Sequence, residues 1–297
     1  MHRFPTAAAR ERSAAIIANE NLNVNRKFPD GSTHPYNFVM ASGEFRDPTQ
    51  RFSDRAENYR KYRPGYPPQI YDYLHKQAGL ERQDVIADLG SGTGLLSSLF
   101  LRRGHEVYGI EPNEAMRKSA EEDLAEQQNF KSINGRAESI PLPDASVDFV
   151  VAGQAFHWFE PKATRVEVKR ILKPGRQTAL IWNNRRIELN PFHRDYEQLL
   201  GRFGIDYAKV ARRWMITNEE IAAWFAPHPM VQASFPNSKH VDAEGLRGGL
   251  LSASYIPTEG HPNYQPMLEA LDELFARYQA GGFVQIEYKT MVYHGKV

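Results

Sequence analysis

Val85-Ile86-Ala87-Asp88-Leu89-Gly90-Ser91-Gly92-Thr93-Gly94-Leu95-Leu96-Ser97-Ser98-Leu99-Phe100 runs from an apolar stretch through a glycine turn into a second apolar stretch, the pattern of a buried strand joined to a helix. Glycines at alternate positions let the chain turn tightly and bring its backbone against a ligand, while the unpaired amides of the helix start face the same crevice. The next strand, His105-Glu106-Val107-Tyr108-Gly109-Ile110, ends in Glu111. A carboxylate about 20 residues past such a turn reaches the two ribose hydroxyls of a bound nucleoside. Two neighbours narrow the choice of nucleoside. A dinucleotide turn wants Gly or Ala three residues after Gly92 for close helix packing, and Leu95 stands there. Asp88 would also repel a pyrophosphate; it suits a cationic ligand such as S-adenosylmethionine (SAM), which carries an ammonium and a sulfonium.

Strands and helices alternate outward from this turn. A capped helix is expected over residues 53–62, stopped by Pro64-Gly65, and another over 69–77. Strands follow at 85–89, 106–110, 131–134, 149–152 and 178–182, with helices over 95–103, 114–125 and 163–172 between them. This alternation calls for a parallel sheet covered by helices on both faces, with the ligand beyond the carboxyl ends of the strands where their order reverses. Asp88, Glu111, Ala137 and Gln154 all fall at or just after strand ends. Past Asn183 the alternation breaks: 190–204 and 217–226 read as helices, 235–240 as a late strand and 282–293 as an alternating final strand.

The stretch from Phe52 to Asn183 resembles the class I SAM-dependent methyltransferases. The resemblance rests on Asp88 to Gly94, on Glu111, and on Gly135-Arg136-Ala137-Glu138 running to Asp148. Gln154-Ala155-Phe156-His157-Trp158-Phe159 is similar to the small-molecule branch that includes trans-aconitate methyltransferase-like proteins. Leu251-Ser252-Ala253-Ser254-Tyr255-Ile256-Pro257 and the closing Tyr288 to Gly295 resemble that branch too. The implied fold is α/β: a doubly wound, mostly parallel seven-stranded sheet with an antiparallel final strand and a mainly helical insertion covering the site. On this reading residues 47–297 form the domain, with 188–263 as the insertion, and residues 1–46 are a poorly ordered or accessory extension.

Composition bounds the partners. With 37 Lys+Arg against 36 Asp+Glu, the chain lacks the basic excess expected of a nucleic-acid binder. No window has the length and apolarity of a membrane span. Zero cysteines exclude disulfides and thiolate chemistry and suit a reducing, cytoplasmic setting. The ten histidines form no His-Glu-x-x-His arrangement, so no metal is expected. A small-molecule acceptor and a monomer or homodimer are the expected partners.

The expected cofactor residues are Asp88, Gly90, Ser91 and Gly92 on the glycine turn, with Glu111 and Pro112 at the ribose. At the adenine, relatives carry an acid after Gly135, but here Arg136 stands, and a guanidinium cannot accept the amino hydrogen bond. Recognition then falls to the backbone of Ala137 or to Glu138. The resemblance puts Tyr59, Arg63 and Gln154 near the methionine end. His157 just past a strand end is a candidate base, or a packed member of a His-Trp-Phe turn. Trp182, Arg185, Arg186, Arg212, Arg213, Trp214, Arg247 and Tyr255 are candidates to meet an anionic acceptor positioned over His157 and Tyr255. Two other readings stay open: a SAM-binding sensor or scaffold without turnover, and an NAD-dependent oxidoreductase.

Overall fold

Ile86–Leu89 forms strand β1 with every residue buried, as a parallel strand covered on both faces requires. The computed structural model describes residues 53–214 and 216–297, with 212–214 described by backbone alone; the expectations for residues 1–46 lie outside them. Before β1 come helices α1 (Ala56–Tyr62) and α2 (Gln69–Gln77). After it follow α3 (Ser97–Leu101), β2 (Val107–Ile110), α4 (Glu114–Asp123), β3 (Phe130–Ile133), β4 (Val147–Gly153), α5 (Pro161–Ile171) and β5 (Leu172–Arg185). The remainder is α6 (Pro191–Phe203), α7 (Tyr207–Trp214), α8 (Asn218–Phe225), β6 (Val231–Val241), α9 (Ala243–Leu251), α10 (Tyr264–Tyr278) and β7 (Val284–Gly295).

The seven strands form one sheet in the order β3-β2-β1-β4-β5-β7-β6. Strands β1 to β5 pair in parallel, and β7 runs antiparallel to both β5 and β6. The expected mostly parallel sheet with an antiparallel final strand is therefore present. Its order reverses between β1 and β4, so the loops after these strands open a crevice at their carboxyl ends.

Neighbouring residues along the strands feed opposite faces, as a period of two demands. Ala87, Val150 and Leu180 join a cluster with Val168 and Ile171 of α5 and Trp224 of α8. Ile86, Val151 and Ile181 join another with Ile70 and Leu74 of α2 and Phe100 of α3. A third cluster lies outside this sandwich, where Phe192, Leu200, Leu250, Leu271 and Leu274 from α6, α9 and α10 pack on Val241, Val284 and Ile286.

Local chemistry sets several helix starts and corrects two expectations. Asn113 caps α4 through Met116 N at 3.0 Å, and Thr217 with Glu220 forms a capping box on α8. The capped helix expected over 53–62 begins only at Ala56, and Arg55 at its N-cap makes no side-chain cap. Ser53 instead accepts from Asn113 Nδ2 at 2.8 Å, so its hydroxyl serves the α4 corner. The helix expected over 95–103 shortens to Ser97–Leu101, because the turn runs longer: Gly94 N still bonds Ser91 O at 2.9 Å. The range 188–263 carries α6 to α9 together with β6, which covers the late strand expected over 235–240, and α10 extends the helical cover beyond it.

Candidate functional site

The glycine turn takes the shape its composition demands. Gly90, Gly92 and Gly94 have φ of 65°, 56° and 78°, a region in which a side chain is strained. At Gly90 a Cβ would also lie 2.7 Å from Ala155 Cβ, so glycine lets the turn close on the loop after β4. Gly90 N and Ser91 N both donate to Ile110 O, at 2.8 and 3.2 Å, which ties the turn to the end of β2.

Every cofactor residue expected from sequence lines one cavity. Asp88, Gly90, Ser91 and Gly92 come from β1 and its turn, and Glu111 and Pro112 from the end of β2. Ala137 and Glu138 come from the loop after β3, Gln154 from the loop after β4, and Tyr59 and Arg63 from α1 and its end. Tyr66, Met116 and Asn183, not singled out from sequence, line it as well.

Glu111 is buried, and its two oxygens accept from Gly92 N at 3.1 Å and Asn113 N at 2.9 Å. Burial raises its carboxyl above the usual range, while these backbone donors pull it back. Asp88 is 1% exposed. Its Oδ2 accepts from Ser97 Oγ at 2.7 Å, and its Oδ1 is buried with no hydrogen-bond partner among the described residues. Burial pushes its carboxyl up to about 7, against the Ser97 hydrogen bonds and with a smaller push from Glu111. An orphaned carboxylate oxygen in a cavity is a place for a cation.

Two further features belong to this wall. Arg63 donates Nη2 to Ser252 O at 3.3 Å and lies over the Tyr59 ring at 5.0 Å, while its Nε is buried without a hydrogen-bond partner among the described residues. Gln154 holds φ at 54°, uncommon for a residue with a side chain and concentrated at functional turns. The set fits a ligand with a ribose, an ammonium and a carboxylate: Glu111 could accept from the first, Asp88 could face the second, and Arg63 could donate to the third.

On the loop after β3, Arg136 lies 3.5 Å from Glu138 Oε2, and Glu138 Oε1 accepts from Glu160 N at 2.8 Å. Both oxygens of Glu138 thus already have donors.

A second cavity of about 360 Å³ adjoins the first and shares Tyr59, Arg63, Pro64, Gln154, Trp158 and Asn183 with it. His157 and Tyr255 line this second cavity and not the first. His157 packs against the Trp158 ring with centroids 4.9 Å apart, and Tyr255 is buried with its ring 4.8 Å from that of Tyr207. Of the candidate anion-binding residues, Trp182 and Arg185 reach this cavity. Arg247 instead pairs with Asp272 at 2.6 Å, and Arg186 lines neither cavity. The side chains of residues 212–214 lie outside those described.

Sequence reasoning missed Glu197 and Asn183. Arg185 Nη2 donates to Glu197 Oε2 at 2.8 Å, and Tyr207 OH donates to Glu197 Oε1. Asn183 Oδ1 accepts from Thr290 Oγ1 at 2.6 Å and Asn237 Nδ2 at 3.1 Å. The available signal was the polar run Asn183-Asn184-Arg185 ending the buried run Leu180-Ile181-Trp182 at the crevice edge.

Comparisons with known proteins agree with this geometry. A methyltransferase-domain family model matches residues 87–180. An uncharacterized methyltransferase of Schizosaccharomyces pombe is 33% identical over 254 residues, spanning 82% of this chain and 95% of that protein. An uncharacterized methyltransferase of Mycobacterium tuberculosis is 35% identical over 159 residues, which is 54% of this chain and 62% of that protein's length. Among solved structures, one assigned as a type II methyltransferase from Anaeromyxobacter dehalogenans shares the fold, with a TM-score of 0.59 at 21% identity over 79% of this chain and 98% of that one. With this sheet order, this glycine turn and these relatives, the chain belongs to the class I methyltransferase family.

Proposed function

We propose that the protein transfers a methyl group from SAM to a small acceptor bearing a carboxylate or another anionic group. The observation that carries this reading is the pair of adjoining cavities, the first lined by all the residues suited to SAM and the second by acceptor candidates. Bound SAM supplies an electrophilic methyl carbon on a sulfonium. The chain's own work is alignment and exclusion of water. Glu111 holds the ribose, Asp88 the ammonium and Arg63 the carboxylate, while Ala137 offers its backbone to the adenine. Gln154 and Tyr59 sit at the shared wall, where acceptor and donor meet. The helices α6, α7 and α9 act as the cover of the acceptor cavity, with Tyr255 and His157 facing the acceptor.

An anionic acceptor is supported by Arg185 in the second cavity and by the similarity of residues 154–159 to the trans-aconitate methyltransferase-like branch. Calorimetry tests the first half of the reading: SAM and S-adenosylhomocysteine should bind, and Glu111→Ala should weaken both on the order of 100-fold, as loss of a charged, bidentate contact does. Binding of NAD with no binding of SAM would refute it.

A further inference from the structure

We propose that Arg185 is a handle for the acceptor's anionic group, and that the atom receiving the methyl group is a separate hydroxyl or amine. This deepens the methyl-transfer reading and rests on it. Transfer must occur at the wall the two cavities share, because donor and acceptor occupy different sides of it. Asn183 belongs to that wall, whereas Arg185 lines the acceptor cavity alone. Both stand on β5 two residues apart and so on one face of it, with backbones about 7 Å apart.

The guanidinium is held by Glu197, Tyr207 and Tyr196, which line the acceptor cavity and not the first one. Glu197 of α6 accepts from Nη2 at 2.8 Å, Tyr207 OH of α7 lies 3.5 Å from the same nitrogen, and the Tyr196 ring of α6 lies beneath at 5.5 Å. These contacts use Nη2 only. Nε–H and the Nη1 donors have no hydrogen-bond partner among the described residues, and they belong to a side chain that lines the cavity. Glu197, 5% exposed, therefore acts as a bracket that fixes the fork and leaves its other donors for an anion. The other arginine of the cavity, Arg63, stands at the shared wall, where the methionine carboxylate occupies it.

An acceptor that spends its carboxylate on Arg185 must present another nucleophile at the wall. Tyr196, Tyr255, Tyr288 and Trp182 provide flat walls for the carbon frame between the two groups. A hydroxyl or amine, unlike a carboxylate, has a proton to lose, and His157 is the imidazole lining this cavity. The heteroatom's lone pair forms the bond to the methyl carbon as the carbon–sulfur bond breaks. Sulfur keeps the pair of the broken carbon–sulfur bond, the heteroatom's proton passes to His157, and the products are S-adenosylhomocysteine and an O- or N-methylated acid.

The whole chain saturated with S-adenosylhomocysteine is titrated by calorimetry with 4-hydroxybenzoate, benzoate and methyl 4-hydroxybenzoate. Both acids should bind about tenfold or more tightly than the ester. In the Arg185→Met/Glu197→Gln double variant, which leaves no buried carboxylate unpaired, that preference should vanish while the affinity for S-adenosylhomocysteine holds, which also reports the fold. With SAM, label transferred to 4-hydroxybenzoate should survive mild base as an ether. Equal binding of acid and ester, no binding of either acid, a preference that persists in the double variant, or a base-labile methyl ester would each overturn the proposal. Failure of S-adenosylhomocysteine to bind the unaltered chain would instead remove the methyl-transfer reading itself.

Discussion

Asp88 concentrates the chemistry of the site in one carboxyl. Its ordinary value of 3.8 is raised to about 7, chiefly by burial. The folded chain therefore holds this proton more tightly than the unfolded chain does. Ligand-free stability should fall as pH rises from about 4 to about 7 and level off above that, because over this window the native state binds the extra proton. An ammonium at Oδ1 needs the ionised form, so ligand binding follows the opposite trend. Affinity for S-adenosylhomocysteine should rise about tenfold between pH 6 and pH 8, and Asp88→Asn should flatten both profiles. Calorimetry and thermal melts across that range are the check, and a pH-independent affinity in the unaltered chain would contradict it. Asp88 was legible from sequence because its place before the first glycine is local. Arg185 was harder to read: which of several arginines enters the cavity depends on strand register and on Glu197, both set by tertiary packing.

Helix α1 is the element on which both cavities depend, since Tyr59 and Arg63 border each. A helix of seven residues has little stability of its own, and its position comes from what it touches. Arg55, 5% exposed, donates to Leu251 O, Ala253 O and Ile256 O at 3.1, 2.6 and 2.7 Å. Lys61 and Tyr62 reach Glu244, and a Cβ on Gly248 would lie 2.1 Å from the Tyr62 ring. Only glycine in α9 lets that ring seat. Arg55→Met leaves buried carbonyls without their donor, each costing about 1–3 kcal/mol. It should speed amide exchange across residues 56–62 and weaken S-adenosylhomocysteine about tenfold or more. Gly248→Ala should act in the same direction, with a loss of about 1–3 kcal/mol from overpacking. Unchanged exchange and affinity in both variants would show that α1 is held some other way. This docking could not be read from sequence: the partners of Arg55 lie 196 to 201 residues away, and the three glycines of α9 argue against a helix there on propensity. Helix α10 was not among the helices expected from sequence, although Met267, Leu271 and Leu274 recur along it at a helical spacing and are buried in the fold.

At the scale of the whole molecule, two buried clusters sandwich the sheet, while the third joins α6, α9 and α10 to the ends of β6 and β7. The sandwich was legible because parallel strands write continuous apolar runs, and its crevice because strand order reverses beside β1. The third cluster was read only as an insertion, since its helices find one another across β6 rather than in sequence. Its composition nevertheless ties it to the acceptor cavity, because Tyr196, Tyr207, Tyr255 and Ile286 belong to both. No residue of α10 lines the cofactor cavity. Leu271, 1% exposed at the centre of this cluster, therefore separates the two halves of the site. Leu271→Ala should cost about 2–5 kcal/mol of stability by leaving a cavity. Because the glycine turn and Glu111 follow β1 and β2, whose apolar residues lie in the other two clusters, affinity for S-adenosylhomocysteine below the melting temperature should stay within about threefold of the unaltered chain. Amide exchange should quicken around Tyr196 and Tyr255 but not around Gly92. Denaturant unfolding, calorimetry and exchange on the one variant decide the matter, and loss of cofactor binding in the folded variant would mean that the cover and the sheet respond as one unit.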